Sequence, residues 1–156
     1  MKTSNAYNTL FIFLVLFTFS CTSELGQNKL LKPWTGPYMG TPAFDKMQVA
    51  DVKPAMLKAM ELNLEEIEAI ASNPEAPNFE NTIEAMERSG KVLDRAFAYY
   101  GIFSSNMSSP EFRGVQTELA PLFSEFQSKI TQNKQFFKRI KAVYEASKTK
   151  PLEADQ

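Results

Sequence analysis

Residues 73–90 read "NPEAPNFENTIEAMERSG", from Asn73 to Gly90, and their punctuation decides the fold class. Asn73-Pro74 must end a helix, because the residue before a proline is pushed out of the α region. Pro77 keeps the connection short and stiff. Asn78 is placed to cap a new helix, and Glu80 and Glu84 put negative charge near the positive end of its dipole. Ile83, Met86, Gly90, Leu93, Phe97 and Tyr100 then recur at spacings of three and four, which is one helix face. The spacing predicts one long amphipathic helix ending near "SSNMSSP". Gly90 on its apolar face implies close approach of another helix, at up to about 1 kcal/mol in propensity.

The same pattern extends on both sides. Upstream, Asp51 can cap a helix whose first turn takes Pro54, and Leu57, Met60, Leu64, Ile67 and Ala71 form its apolar face. Downstream, Ser109-Pro110 is a cap followed by a first-position proline. Phe112, Val115, Leu119, Leu122 and Phe126 continue that helix, with Pro121 expected to kink it. The pattern resets at Thr131 to Asn133, and Phe136, Phe137, Ile140, Val143 and Tyr144 make a last apolar face. No alternating β-branched run competes. The expectation is an all-α protein of antiparallel helical hairpins with short loops.

The 156 residues are 44% hydrophobic and 22% charged, a globular composition sized for one domain or part of a larger one. A unit of this length buries roughly two-thirds of its unfolded surface. The net charge of -1 supplies no bulk attraction to nucleic acid. There is no histidine, which removes the commonest general base, the commonest zinc ligand and every Ser-His or Cys-His arrangement.

The N-terminus reads as a targeting segment. Lys2 precedes the uncharged run "LFIFLVLFTF", which is half of what a bilayer span needs and suits a signal-peptide core. Cys21 follows Ser20, the position at which a bacterial lipoprotein is cleaved and its new N-terminal cysteine acylated. The segment therefore resembles a lipobox, although Thr18 and Phe19 depart from the usual residues; an ordinary signal peptide is the plainer alternative. Three acyl chains, at about 0.8 kcal/mol per buried methylene, would hold the protein on a membrane. Expected boundaries are a signal peptide at 1–20, a tether and Pro/Gly-rich extended segment at 21–50, and a helical domain at 51–156. Localisation is expected in the cell envelope, exported and lipid-anchored on the periplasmic or outer-membrane side.

No constellation carries chemistry. Glu61, Glu65 and Glu68 share a helix face beside Glu66, but no histidine completes the pattern by which helical bundles bind metals. Solvated helix residues are the simpler account. Lys134, Lys138, Arg139 and Lys141 alternate with Phe136 and Phe137, yet the phenylalanines fit core packing and no nucleic-acid partner is expected. Phe97, Tyr99, Tyr100 and Phe103 either line a groove or divide between core and interface. Exposed aromatics there would signal an uncovered face.

Three stretches in this order resemble the N-terminal part of the thimet oligopeptidase family of zinc metallopeptidases, in the manner of bacterial peptidyl-dipeptidases and oligopeptidase A. They are "PYMGTPAFDKMQVADVKPAMLKAM", "EIEAIASNPEAPNFENTIEAMERSGKVLDRA" and "SSNMSSPEFRGVQTELAPLFSEF". The resemblance covers nearly everything from Leu31 onward, and "PNFENTIEAMERSG" is its most specific part. It implies a two-lobed helical enzyme enclosing a channel, in which a zinc-bound water cleaves short peptides. The family's zinc site is an HExxH helix with a downstream glutamate, and none of those residues can be carried over to this chain. Phe97, Tyr100 and Phe103 are then packing or channel-wall aromatics, and Cys21 is the lipidation site. The chain is expected to be the non-catalytic N-terminal portion of such an enzyme, inactive alone, with zinc and oligopeptide substrate belonging to the full-length protein. The rival expectation is a free-standing helical lipoprotein that binds a peptide or protein.

Overall fold

The computed structural model describes residues 28–35 and 40–149. The expected signal peptide and Cys21 lie outside them. Among the described residues every regular element is helical, with no strand. Four long helices carry it: α1 (Val49–Ala71), α3 (Lys91–Ser105), α4 (Pro110–Thr131) and α5 (Lys134–Ser147), with a short α2 (Ala85–Arg88) after the corner. None of them is long and apolar enough to cross a membrane.

The Ser109 cap forms as read, its hydroxyl accepting the Phe112 N–H with Pro110 at the first helical position. Where the pattern resets, Asn133 caps α5 by accepting the N–H groups of Gln135 and Phe136. α4 runs as one continuous helix through Pro121. α1 starts two residues before Asp51, with Gln48 at its cap, and Asp51 instead pairs with Lys29 at 3.1 Å.

The 73–90 stretch departs most from expectation. α1 ends at Ala71, and Asn78 caps a π-helical turn, Phe79–Glu84, that runs into α2. Asn78 and Asn81 exchange side-chain bonds with each other's backbone N–H at 2.8 and 2.9 Å, a capping box built from two asparagines. The helix then stops. Gly90 sits at φ 78°, left-handed, and starts α3 afresh, so the single long helix is two. A side chain at Gly90 would also meet Asn63 of α1 at 3.3 Å, so close approach is part of its role, but backbone conformation is the larger part. The Gly90 N–H donates to Glu66 of α1 at 2.6 Å, so a carboxylate from the neighbouring helix caps the restart.

That break shifts the register. On α3 the buried side chains are Leu93, Ala96, Tyr99 and Phe103, one step away from the expected line through Phe97 and Tyr100. On α1 the core takes Val52, Met56, Ala59, Asn63, Ile67 and Ile70, and leaves Leu57 40% exposed. On α5 it takes Phe136, Arg139 and Val143, leaving Phe137 60% and Tyr144 62% exposed. Arg139 stands in the core because the corner needs it. Its guanidinium donates to the carbonyls of Asn73 and Glu75 at 2.8 and 3.0 Å and to the Asn81 side-chain oxygen at 2.9 Å.

Ahead of α1, the Pro/Gly-rich strip packs rather than floats. Leu30 and Leu31 are buried in the main core with α1 and α3, and the Arg95 guanidinium holds the Leu31 carbonyl at 3.0 and 3.2 Å. The Tyr99 hydroxyl accepts the Ala43 N–H at 3.0 Å, 56 residues away, while Trp34 and Phe44 set their rings edge-on to Tyr99.

Candidate functional site

Ring contacts fix how α3 and α4 meet. Phe103 stacks on Phe112 at 5.3 Å, Tyr100 lies edge-on to Phe112 and Phe123, and Phe97 meets Phe123 at 5.4 Å. Earlier residues of α3 meet later residues of α4, so the two helices are antiparallel. The three sequence-selected aromatics thus form one ladder with graded burial. Phe103 is buried, Tyr100 is half-buried, and Phe97 is 39% exposed at the open end.

α1 and α4 run the other way, side by side and parallel. Lys53 pairs with Glu118, and Asn133 donates to Glu68 at 3.2 Å, each pair 65 residues apart. Along their outer seam lies a groove made of two adjoining hollows of about 280 and 380 Å³. Leu57, Met60, Leu64 and Ile67 from α1 and Leu122 and Phe126 from α4 make its floor. Glu61, Glu65, Glu68 and Glu125 stand along it, with Lys129 the single cation among its lining residues. The carboxylates that share a helix face in sequence therefore do share a place. Glu66 is the exception, turned away to Asn63 and Gly90. Lys129 bonds Glu125 at 2.8 Å, and that hydrogen bond and the ammonium's charge hold the Glu125 carboxyl below its usual value.

A second cleft, of about 440 Å³, opens where the N-terminal strip crosses α3. Trp34, Pro42, Ala43 and Tyr99 wall it, and Lys29, Lys32, Asp45 and Lys46 surround them.

These residues do not fit a zinc site. Among the described residues no group of three or more histidine, cysteine, aspartate or glutamate side chains is placed to hold a metal ion. Glu61 is tied to Lys58, Glu68 to Asn133 and Glu125 to Lys129, so three of the four groove carboxylates are engaged one by one.

Sequence reasoning missed Arg139 as the corner's anchor and weighed it only within a basic cluster that it set aside. A signal existed: Arg139 falls three residues after Phe136 and four before Val143, in phase with the core. Leu30 and Leu31 carried no such signal, since nothing periodic surrounds them.

No family model matches the chain. Curated proteins do. Dipeptidyl carboxypeptidase of Escherichia coli (strain K12) is 30% identical over 128 residues, covering 82% of this chain and 19% of that protein. The chain is similar to dipeptidyl carboxypeptidase. The enzyme of that name from Salmonella typhimurium is 28% identical over 121 residues, 78% of this chain and 18% of its own length. Oligopeptidase A of Escherichia coli is 28% identical over 111 residues, 71% of this chain and 16% of its own. The chain spans less than a fifth of the length of these dipeptidyl carboxypeptidases and of oligopeptidase A. Peptidases of these two names are the kinds of relative that the three quoted stretches suggest.

Proposed function

We propose that this chain is the non-catalytic, N-terminal helical portion of an exported zinc peptidyl-dipeptidase of the thimet oligopeptidase family. The observation that carries this is a match of over a hundred residues to dipeptidyl carboxypeptidase and oligopeptidase A in a chain with no histidine. A zinc ion that activates water needs three protein ligands and one open position, and those ligands would come from other residues of the enzyme. The zinc would supply the nucleophilic hydroxide. The residues here would do what helices do without ligands: wall a channel, limit which peptides enter and exclude bulk water.

Within that wall, Phe97, Tyr100 and Phe103 form a stiff aromatic ladder whose exposed end, Phe97, would face the channel or a neighbouring lobe. Cys21 would tether the enzyme to the membrane through its acylated N-terminus. The test is a hydrolysis assay on the purified full chain with short peptides and added zinc. No turnover is expected, and chelator-sensitive turnover would remove the non-catalytic assignment. Membrane-fraction mass spectrometry should find an N-terminus at Cys21 with added acyl mass; an unmodified soluble product would refute the anchor.

A further inference from the structure

Two surface features have no covering partner among the described residues, and they are complementary. One is the α1/α4 groove. Its α1 floor residues follow spacings of three, four and three, and its α4 floor residues a spacing of four. Such spacings are the seam on which a helix bundle seats a further helix. The seam runs about 15 Å from Leu57 to Ile67, three turns of helix. Four glutamates line it against one lysine, and Glu65 has no hydrogen-bonding or ionic partner among the described residues.

The other is the outer face of α5. Phe137 and Tyr144 stand seven residues apart, two turns along one stripe, and both are more than half exposed. Lys134, Lys138 and Lys141 are exposed beside them and make no ion pair among the described residues. Lys148 lies over the Tyr144 ring at 4.6 Å. α5 is therefore a basic amphipathic helix, with apolar anchors two turns apart, presented at the surface. The groove is an acidic apolar trough with Leu57 and Leu64 at the same seven-residue spacing. Asn133, the cap of α5, also lines the groove, so the two features adjoin.

We infer that α5 of one copy of this chain docks in the α1/α4 groove of a second copy, and that the exchange is reciprocal about a two-fold axis. A groove and a helix that adjoin on one surface can be used by both partners at once, which closes the assembly at two and prevents filament growth. Phe137 and Tyr144 enter the apolar floor, and the α5 lysines meet Glu61, Glu65, Glu68 and Glu125 at the rim. This is a helix-in-groove contact in which apolar anchors give affinity and charge gives orientation. The inference does not rest on the peptidase proposal, because it uses only the two surfaces.

The experiment mixes equal amounts of the full chain in light and ¹⁵N-labelled form, couples them with a carbodiimide, and reads the links by mass spectrometry. Carbodiimide joins a lysine to a carboxylate only when they touch. The expected result is mixed-isotope links between Lys134, Lys138 or Lys141 and the groove glutamates, with a dimer mass by light scattering. Phe137→Ser or Tyr144→Ser is expected to weaken the dimer about tenfold or more, with far-UV circular dichroism unchanged because both side chains are exposed. Reversing α5 (Lys134→Glu with Lys138→Glu) or the groove (Glu61→Lys with Glu65→Lys) should dissociate it, and combining the two reversals should restore it. A chain that stays monomeric at about 100 μM, where a weak specific dimer is populated, overturns the inference. So does a dimer that survives both reversals, or one whose links join other surfaces.

Discussion

Arg139 is buried and holds the 73–81 corner. A buried guanidinium without a carboxylate partner is expensive, and here two carbonyls and one amide oxygen of the 73–81 corner offset that cost. Asn81 is the matching hub, since its oxygen also accepts from the Asn78 N–H and the Thr82 hydroxyl. Arg139→Met should cost roughly 2–4 kcal/mol in thermal or denaturant unfolding, because three acceptors lose their donor at once. Arg139→Lys should recover little of it, as an ammonium cannot spread donors over the same fork. An Arg139→Met protein as stable as the parent would show that the corner holds itself. Gly40 is a second fixed point. It is left-handed at φ 84°, and a Cβ there would lie 2.5 Å from the Trp34 carbonyl oxygen. Gly40→Ala should lower the melting temperature by several degrees, whereas Gly114→Ala, inside α4 with nothing within 4 Å, should raise it slightly.

Helices α1, α4 and α5 show what periodicity can and cannot tell. Their ends were legible because proline, asparagine and serine act locally: Asn73-Pro74, Asn78, Ser109-Pro110 and Asn133 all mark real boundaries. Their faces were only half legible. A three-and-four spacing names an apolar stripe, but the partner helix decides which adjacent stripe is covered. Leu57, Phe137 and Tyr144 fell outside the core for that reason, while Asn63 and Arg139 entered it for hydrogen bonds that hydrophobicity cannot register. Gly90 could be seen as a close contact but not as a break, because its left-handed φ depends on Glu66 and Asn63 of another helix. Gly90→Ala should therefore destabilise by about 1–2 kcal/mol, the order of placing a Cβ in the left-handed region. An unchanged unfolding midpoint would mean that the break relaxes into continuous helix. On α4, the lowered Glu125 carboxyl gives a pH signature. Its pairing with Lys129 is present above the ordinary carboxylate value and is lost as pH falls through the lowered one. Lys129→Gln should move the Glu125 titration back up in a carboxyl-resolved NMR experiment, and an unmoved titration would show that Lys129 is not the cause.

At the scale of the molecule, the helices divide into a core that is closed and surfaces that are not. α3 packs against the N-terminal strip and α1, its aromatic ladder meets α4, and Tyr99 ties α3 to the strip. Outside that core lie Phe97, the α1/α4 groove and the outer face of α5, apolar and left uncovered by the described residues. The all-α class and the likeness to peptidases were legible in sequence, because caps and the 73–90 signature are local. The open surfaces were not, since exposure is a property of the whole packing. Under the proposed function, a helical body without histidine, similar to dipeptidyl carboxypeptidase over less than a fifth of that enzyme's length, is a scaffold whose chemistry other residues would supply. The sequence of the gene beyond the Gln156 codon tests that claim most directly. An HExxH segment with a glutamate farther on, in frame or one frameshift away, is the expected result. A gene with no such motif in any frame would contradict it.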